Sequence, residues 1–241
     1  MRDTPPNDPE PTRLPRGARR KRRTRDKLLR AAMGLIAEKG VGGVAINEIT
    51  EAADVGFGSF YNHFESKEAL HDTLQEEVLE AFGVALLQLV ESFDDPAEVL
   101  SASIRCTMRQ AREHPAWGQF LVNTGFSGSL FSAGLGRHLL RDLREGERRG
   151  RFRIEDPLMA LVMTGGTVIA AIGTDIAARR PGDALRRDAQ TLGLDLDGLA
   201  GRTSRTLLCA LGVPGSEAEE IARRPLPDVH FTPAYLQAGE G

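Results

Sequence analysis

The sequence predicts an all-α fold, and three observations support this prediction. Apolar residues recur three and four positions apart, as Leu28, Ala32 and Leu35 do, which is the spacing of a helix face. Residues such as Pro115 and Gly150 fall between the periodic segments, where helices usually begin or end. No segment alternates strictly between apolar and polar residues, as a half-buried strand would. The length of 241 residues suits one large helical domain or two modest ones.

Terminal signals bound the predicted helices. Gly40 suits the left-handed cap that ends the first helix, Ser66 the N-cap of the fourth, and Pro157 the first turn of the eighth. The predicted helices span about 24–39, 46–53, 57–63, 66–93, 97–113, 115–124, 129–149, 156–178, 196–211 and 216–223.

The two ends of the chain are expected to be irregular. Residues 1–20 are predicted to form a disordered basic arm, because the first 18 residues contain five prolines and few apolar side chains that could offset the entropy of ordering. Residues 226–241 are predicted to form an irregular tail.

The net charge of −3 hides an uneven distribution. Residues 13–39 hold eleven Lys and Arg against two acids, whereas residues 71–241 hold eighteen Arg against twenty-four acids. The segment RRKRRTR at 19–25 has six basic residues in seven. A basic end on an acidic body indicates that this end meets a polyanion, although a charge run can also be a solvated surface.

Several functional classes lack their usual motifs. The two cysteines, Cys106 and Cys209, lie in predicted helices without a CxxC or Cys/His cluster, so we expect reduced thiols, a cytoplasmic location and no metal. The five histidines form no HExxH motif, and neither a Gly-x-Ser-x-Gly elbow nor a phosphate loop is present. An all-α enzyme is therefore disfavoured, and no cofactor is expected.

One segment has nearly the length of a membrane span. Residues 157–174 carry no charge over 18 positions, but seven of these are Pro, Gly or Thr. We therefore favour a buried helix, or one at a protein interface, over a transmembrane helix. The N-terminus also lacks the apolar segment of a signal peptide.

Two short predicted helices, 46–53 and 57–63, are joined by a tight turn. Two short helices joined by a turn have the geometry of a helix-turn-helix, the motif that places its second helix in the major groove of DNA. The arginine-rich segment precedes it in the chain, so double-stranded DNA is the expected partner.

Residues 22–70 resemble the DNA-binding domain of the TetR family of bacterial one-component regulators. The resemblance implies a DNA-binding domain at 21–70, with the helix-turn-helix at about 45–64, and an effector-binding and dimerisation domain at 71–225. The rest of the chain resembles the family in its helical character and its length. The matching residues are Ile46, Glu48, Ile49, Ala52, Ala53, Val55, Gly58, Ser59, Phe60, Tyr61, His63, Phe64, Ser66, Lys67, Glu68 and Leu70.

The candidate DNA contacts follow from side-chain chemistry. Gly58 lacks a side chain where the recognition helix must approach DNA or the preceding helix closely. The hydroxyls of Ser59 and Tyr61 can donate to phosphate oxygens, and Lys67 adds a charge at a helix N-terminus. Asn62 and His63 are candidates for base edges or backbone, with a packed core ring as the alternative for the histidine. The arginine-rich segment at 19–25 contributes four arginines that would contact phosphates or the minor groove: Arg19, Arg20, Arg22 and Arg23.

The chain departs from the family pattern at several positions. Ala45 replaces a Thr that could cap the second helix, and Gly56 replaces a hydroxyl cap of the third. Asp54 occupies a glycine turn position, which Asp tolerates in a left-handed conformation. Phe57 replaces a common Lys and would contact a thymine methyl or fold back onto the first helix. We expect the arginine-rich arm to compensate for the lost polar contacts.

The resemblance also implies an effector pocket and a dimer interface in the body. The candidate pocket residues are mainly apolar, with a few polar points, although each could equally be part of a helical core. They are Arg105, Met108, Trp117, Phe120, Leu121, Asn123, Thr124, Phe126 and Met163. The expected ligand is small and apolar or aromatic. The expected homodimer forms through helices 156–178 and 196–211, the second presenting Leu196, Leu199, Thr203, Thr206, Leu207 and Ala210.

The sequence thus predicts a homodimeric regulator, most simply a repressor that binds a palindromic operator and is released by a ligand. The alternative is a DNA-binding or architectural protein that responds to no ligand, in which the body would be a closed core. Whether the regulator represses or activates depends on the operator position, which the chain does not encode.

Overall fold

The computed structural model describes residues 15–90, 93–124, 134–180, 182 and 184–226. This part of the chain contains eleven α-helices, a short 3₁₀ turn at Val41–Gly43 and no strand, so the all-α prediction is confirmed. The helices are α1 (Arg16–Lys39), α2 (Ile46–Ala52), α3 (Phe57–Tyr61), α4 (Lys67–Val90), α5 (Pro96–Glu113), α6 (Pro115–Thr124), α7 (Gly134–Arg148), α8 (Pro157–Arg179), α9 (Ala184–Thr191), α10 (Leu199–Ala210) and α11 (Gly215–Arg223).

Helix α1 begins at Arg16, well before the predicted start at Thr24. Pro15 occupies the N-cap position, and the Arg, Lys and Ala residues that follow are good helix formers. Residues 16–20, which were expected to be disordered, are therefore helical, and that prediction was wrong for them. Residues 1–14 of the predicted arm lie outside the described residues.

Helices α1 to α4 enclose a small core at the N-terminal end. Leu28, Leu29 and Ile49 are completely buried, and Phe60 of α3 is buried beside them. Helix α4 starts in this core, where Leu70 is buried, and continues into the body, so the predicted boundary at 70/71 lies inside one helix. The core residues form one continuous cluster that extends to the last helix.

Helix α6 joins the body to the N-terminal domain. It packs on α1, and the side-chain amide of Asn123 donates to the carbonyl oxygen of Ile36 at 2.9 Å. It also packs on α5, so closely that a Cβ at Gly118 would stand 2.9 Å from the carbonyl oxygen of Ala111. Helix α6 therefore links α5 to α1.

Helix α8 is more exposed than a core helix. In its most apolar 18-residue window only 28% of the residues are buried, and Leu158, Met159 and Val162 are exposed. The prediction that this helix is buried therefore holds for one of its faces within a single chain, and the predicted interface on the other face stays a prediction. Among the described residues it is the one helix with the length and composition to cross a membrane.

Helix α10 buries part of the face that was assigned to the dimer. Thr203 and Leu207 point into the core of the same chain, where α10 packs on α5 and α11, whereas Thr206 and Ala210 are exposed. The single face proposed from the sequence is therefore divided between the chain's own core and the surface.

Helix α9 was missed because its sequence, ALRRDAQT, is largely polar and buries only Ala189. Helix α7 is described from Gly134 onwards, so the predicted start at 129 and the tail from 227 lie outside the described residues.

Candidate functional site

The exposed face of α3 is aromatic. Phe57 and Tyr61 each leave 53% of their surface accessible, and their rings meet edge to face with centroids 5.7 Å apart. Phe60, between them in sequence, is buried and fixes the helix in the small core. Phe57 thus does not fold back onto the first helix, and both outer rings are available to a partner.

Gly58 and Ser59 lie on the same short helix. A Cβ at Gly58 would meet no atom of the described structure within 4 Å, so contact with the preceding helix does not require a glycine here. The other predicted reason for this glycine, a close approach to DNA, stays a prediction. Ser59 is half-buried, and its amide donates to the carbonyl oxygen of Gly56 at 2.8 Å.

Asn62 and His63 follow α3 rather than belonging to it, because the helix ends at Tyr61. Asn62 is exposed and His63 is half-buried, with its ring near that of Phe64. Burial, together with the charges of Lys21 and Arg25, lowers the pKa of His63. His63 is therefore a neutral ring at the edge of the core, within the field of two cations.

Lys67 is held by the protein itself. Its ammonium donates to the carbonyl oxygen of Val44 at 3.1 Å, which joins the start of α4 to the segment before α2. Ser66 caps α4 as predicted, accepting from the amide of Ala69 at 3.0 Å. An open depression of about 570 Å³ lies here, lined by residues 42–46, Tyr61 and residues 65–68. The starts of two helices, a phenol and an ammonium thus border one concave surface, together with the side chains of Glu65 and Glu68.

The turn and the start of α2 show how the chain tolerates its departures from the family. Asp54 has a φ of 53°, the left-handed conformation expected for it. The amide of Ala45, which has no capping side chain, donates to the carboxylate of Glu48 at 2.8 Å. Lys39 donates to the same carboxylate and lowers the pKa of Glu48. Glu48 thus makes its half of a capping box by accepting from the N-cap amide, whereas the half that a Thr side chain would make with the first-turn amides is absent.

The basic segment is a helical extension of α1. Arg19, Arg20, Arg22 and Arg23 are all exposed. Arg25 is not available to DNA in the same way, because its guanidinium donates to Glu77 of α4 at 2.6 and 3.0 Å. Lys21, which was not among the candidate contacts, lies one helical turn before Arg25, and the guanidinium of Arg25 stands 5.5 Å from the centroid of the Phe64 ring. The charge of Lys21 also lowers the pKa of His63. Its position became evident only when the helical path of the segment was known.

A cavity of about 350 Å³ lies in the body between α5, α8, α10 and α11. Two of the candidate ligand residues, Arg105 and Met108, line it. Arg105 also donates to the carbonyl oxygens of Ile221 and Arg224, at 3.5 and 2.6 Å. Sequence reasoning missed Arg109, Arg112 and Asp175 in this lining, because a helix face from α5 and one from α8 meet only in the fold.

The other candidate ligand residues do not line this cavity. Trp117, Phe120 and Leu121 are buried in the core, where the Trp117 ring lies 4.8 Å from that of Phe82. Asn123 is used in the link to α1, and the hydroxyl of Thr124 donates to the carbonyl oxygen of Phe120. Met163 packs partly buried against the core, and Phe126 lies outside the described residues.

The nine candidate residues therefore do not share this cavity, because contacts between helices place most of the others in the core. The indole N–H of Trp117 has no hydrogen-bond partner among the described residues.

Both parts of the chain match known protein families. Residues 28–74 match the family described as bacterial regulatory proteins, tetR family, and residues 95–224 match the tetracyclin repressor-like C-terminal domain. The solved structure of RolR in complex with its ligand resorcinol is 36% identical. The match covers 88% of this chain and 100% of that one, with a TM-score of 0.62.

Curated relatives match over shorter stretches. TcmR of Streptomyces glaucescens is 32% identical over 111 residues, which cover 46% of this chain and 49% of TcmR. The transcriptional repressor DhaR of Mycobacterium sp. strain GP1 is 40% identical over 80 residues, 33% of each chain. The chain thus spans about half the length, or less, of these relatives. Together with the helix-turn-helix and the helical body, the family matches establish that the chain belongs to the TetR family of bacterial DNA-binding transcriptional regulators.

Proposed function

We propose that the protein is a homodimeric repressor that binds a palindromic operator and is released by a small ligand. The observation that carries the DNA-binding part is the exposed surface around α3. Phe57, Tyr61 and Asn62 are free to contact a partner, and the basic extension of α1 lies near the end of the same helix. Aromatic and amide side chains would read base edges, and the flanking cations would bind phosphates.

The proposed dimer forms through α8 with the exposed part of α10. Leu158, Met159 and Val162 form an apolar surface on α8 that the single chain leaves uncovered. Burying such a surface against a second copy removes apolar area from water, and a two-fold axis would pair the two α3 helices for the two halves of an inverted repeat.

Release by a ligand is supported by the cavity in the body and by the relatives. RolR has been solved with its ligand resorcinol, and DhaR is named a repressor. The cavity lies against α8 and α10, and its wall residue Ala111 contacts α6, which packs on α1. A ligand there would bias both the dimer and the position of the DNA-binding helices. Since the protein acts on DNA, we propose a cytoplasmic location.

Footprinting on the DNA that flanks the protein's own gene tests DNA recognition. We expect a protected inverted repeat, and Asn62→Ala should weaken specific binding about tenfold or more because a base-reading amide is lost. Gln190→Ala, an exposed amide on α9, is the matched control and should leave the footprint unchanged. Protection of the same sites by the Asn62 variant at wild-type concentrations would remove Asn62 from the interface.

The fluorescence of Trp117, the single Trp of the chain, tests the ligand response. Because α6 contacts both the cavity wall and α1, an effector should change this emission at the concentrations that release DNA. The competing function is a DNA-binding protein that responds to no ligand. Operator binding that no compound affects, together with unchanging emission, would favour that alternative.

A further inference from the structure

Arg25 of α1 contacts two other elements near the DNA-binding surface. Its guanidinium donates to both carboxylate oxygens of Glu77 on α4, at 2.6 and 3.0 Å. The same guanidinium stands 5.5 Å from the centroid of the Phe64 ring, within the distance of a cation–π contact. Phe64 is buried, and its ring lies 5.8 Å from that of Phe60, the core residue of α3. One side chain of α1 therefore contacts both α4 and the segment that joins α3 to α4.

The contact between Arg25 and Glu77 fixes an orientation as well as a distance. A planar guanidinium that donates two parallel hydrogen bonds holds a carboxylate in a defined direction, which the ammonium of a lysine does not. The two side chains are 33% and 42% exposed, so the pair adds little to the free energy of unfolding. Its main effect is therefore expected on the position of α4 relative to α1.

Helix α4 is attached to the DNA-binding domain at a second point. The ammonium of Lys67, the first residue of the helix, donates to the carbonyl oxygen of Val44 at 3.1 Å. Glu77 lies ten residues further along α4, a distance of about 15 Å at the rise of an α-helix. Two attachments this far apart fix the direction of the helix axis. Since α4 continues into the body, they also set the direction in which the body carries α1 and α3.

Glu77 is unfavourable for DNA binding by its charge alone. It is an acid next to the basic extension of α1, and it occupies a guanidinium that would otherwise be a further cation for phosphates. A surface that needed only positive charge here would bind DNA more tightly without this carboxylate. A geometric role of the pair accounts for its presence.

We propose that Arg25 and Glu77 are positioning residues for operator binding, because their paired hydrogen bonds fix α4 against α1 and thereby set the separation of the two α3 helices in the dimer. Neither residue has to touch DNA for this role. The proposal rests on the proposed function, because this separation matters only in a two-fold dimer on an inverted repeat.

Binding of the full chain to three operators tests the proposal. One is the inverted repeat that the wild type selects, and the other two have one base pair added or removed between the half-sites, which changes their separation by about 3.4 Å. We expect the wild type to prefer the selected spacing by about tenfold or more, because a displaced half-site prevents both subunits from binding at once.

Two variants break the pair in different ways. Glu77→Gln removes the carboxylate that accepts both hydrogen bonds, and Arg25→Lys keeps the positive charge without the planar fork. Each should reduce the preference for the selected spacing by about threefold or more, since the two α3 helices are then less firmly placed. Glu76→Gln makes the same change of charge at the neighbouring exposed position of α4 and is the matched control, which should keep the wild-type preference.

The outcomes separate a positioning role from a stabilising one. An ion pair that serves only stability would lower the urea midpoint of unfolding and leave the spacing preference of the folded protein unchanged. Wild-type preference in either variant of the pair, or an equal loss in Glu76→Gln, would overturn the proposal and leave the proposed function intact. Equal binding of the three operators by the wild type would contradict the two-fold dimer, and the positioning role with it.

Discussion

At the scale of single residues, the DNA-binding surface combines exposed side chains with a histidine whose protonation is suppressed. His63 is half-buried beside Phe64, and burial and the cations Lys21 and Arg25 lower its pKa below the ordinary value of about 6.5. It is therefore neutral in the free protein at neutral pH. Phosphates brought close by DNA would offset the two cations and favour its charged form.

DNA affinity should consequently rise as the pH is lowered from 7.5 to 6. Binding then takes up a proton at His63, and one coupled proton changes affinity by at most about tenfold per pH unit. His63→Gln should flatten this dependence in titrations at constant ionic strength. An identical pH slope in the two proteins would mean that His63 does not sense the phosphates.

The folding stability of the free protein should depend on pH in the opposite direction to DNA affinity, which provides a check. A histidine whose folded-state pKa is lowered contributes stability that is complete above the unfolded value of about 6.5 and decreases as the pH falls through it. His138 belongs to the same class, because burial lowers its pKa as well. Acid should therefore weaken the fold while it strengthens DNA binding.

At the scale of residues, the sequence predicted correctly those features that depend only on neighbouring residues in the chain. The left-handed Asp54 and the cap at Ser66 follow from backbone and hydrogen-bonding preferences of neighbouring residues, and both were predicted. The ligand residues were not predicted as a group. Asn123 has the polarity of a pocket residue, but its partner is a carbonyl of α1 that is distant in sequence.

At the scale of elements, the basic extension of α1 converts an expected flexible arm into a helix. The start of α1 was missed because a run of charges after several prolines is a composition typical of disorder. Arg, Lys and Ala are also good helix formers, and here they continue the helix that begins after Pro15. The arginines therefore have fixed positions along a helix, whereas in a disordered arm their positions would vary.

Replacing Arg19, Arg20 and Arg23 by Gln should weaken DNA binding and reduce its salt dependence. Each lost phosphate contact lowers the slope of log affinity against log salt by about 0.9. The three residues share one helix face, so their effects should appear together. Arg144, Arg148 and Arg153, exposed arginines of the body outside α8 and α10, are the matched control when changed together. A salt slope that the α1 variant leaves unaltered would exclude the extension from the interface.

The contact between α5 and α6 should be sensitive to a single methyl group. Gly118→Ala places a Cβ 2.9 Å from both the carbonyl oxygen and the Cβ of Ala111, so one helix has to shift. We expect a loss of about 1–3 kcal/mol in the free energy of unfolding, measured with urea. Gly34→Ala, on α1 with no atom of the described structure within 4 Å of the new Cβ, should be neutral or slightly stabilising. Equal stability of both variants would show that α6 has room to move.

At the scale of the whole molecule, binding of a palindromic operator requires a dimer. Leu158 is 52% exposed in the single chain and lies in the apolar surface of α8. Leu158→Glu should therefore produce a folded monomer in sedimentation equilibrium, because a charge would be buried at the interface. Val84→Glu, an exposed apolar residue of α4, is the control and should stay dimeric. A monomeric wild type would remove the interface from consideration.

The overall architecture was predictable to a greater degree than the internal contacts. Helical periodicity and terminal signals located most helices, but α9 has little apolar periodicity and was missed. The exposure of α8 could not be predicted, because an apolar helix looks the same in sequence whether its own chain or a second copy covers it.

The most direct test of the central claim is selection of DNA from a random pool by the purified wild-type protein, followed by sequencing. A two-fold dimer that presents two α3 helices should enrich an inverted repeat whose half-sites lie about 34–36 Å apart, one helical turn of DNA. Retention of DNA without sequence enrichment, or enrichment of a single half-site without its inverted partner, would contradict the account.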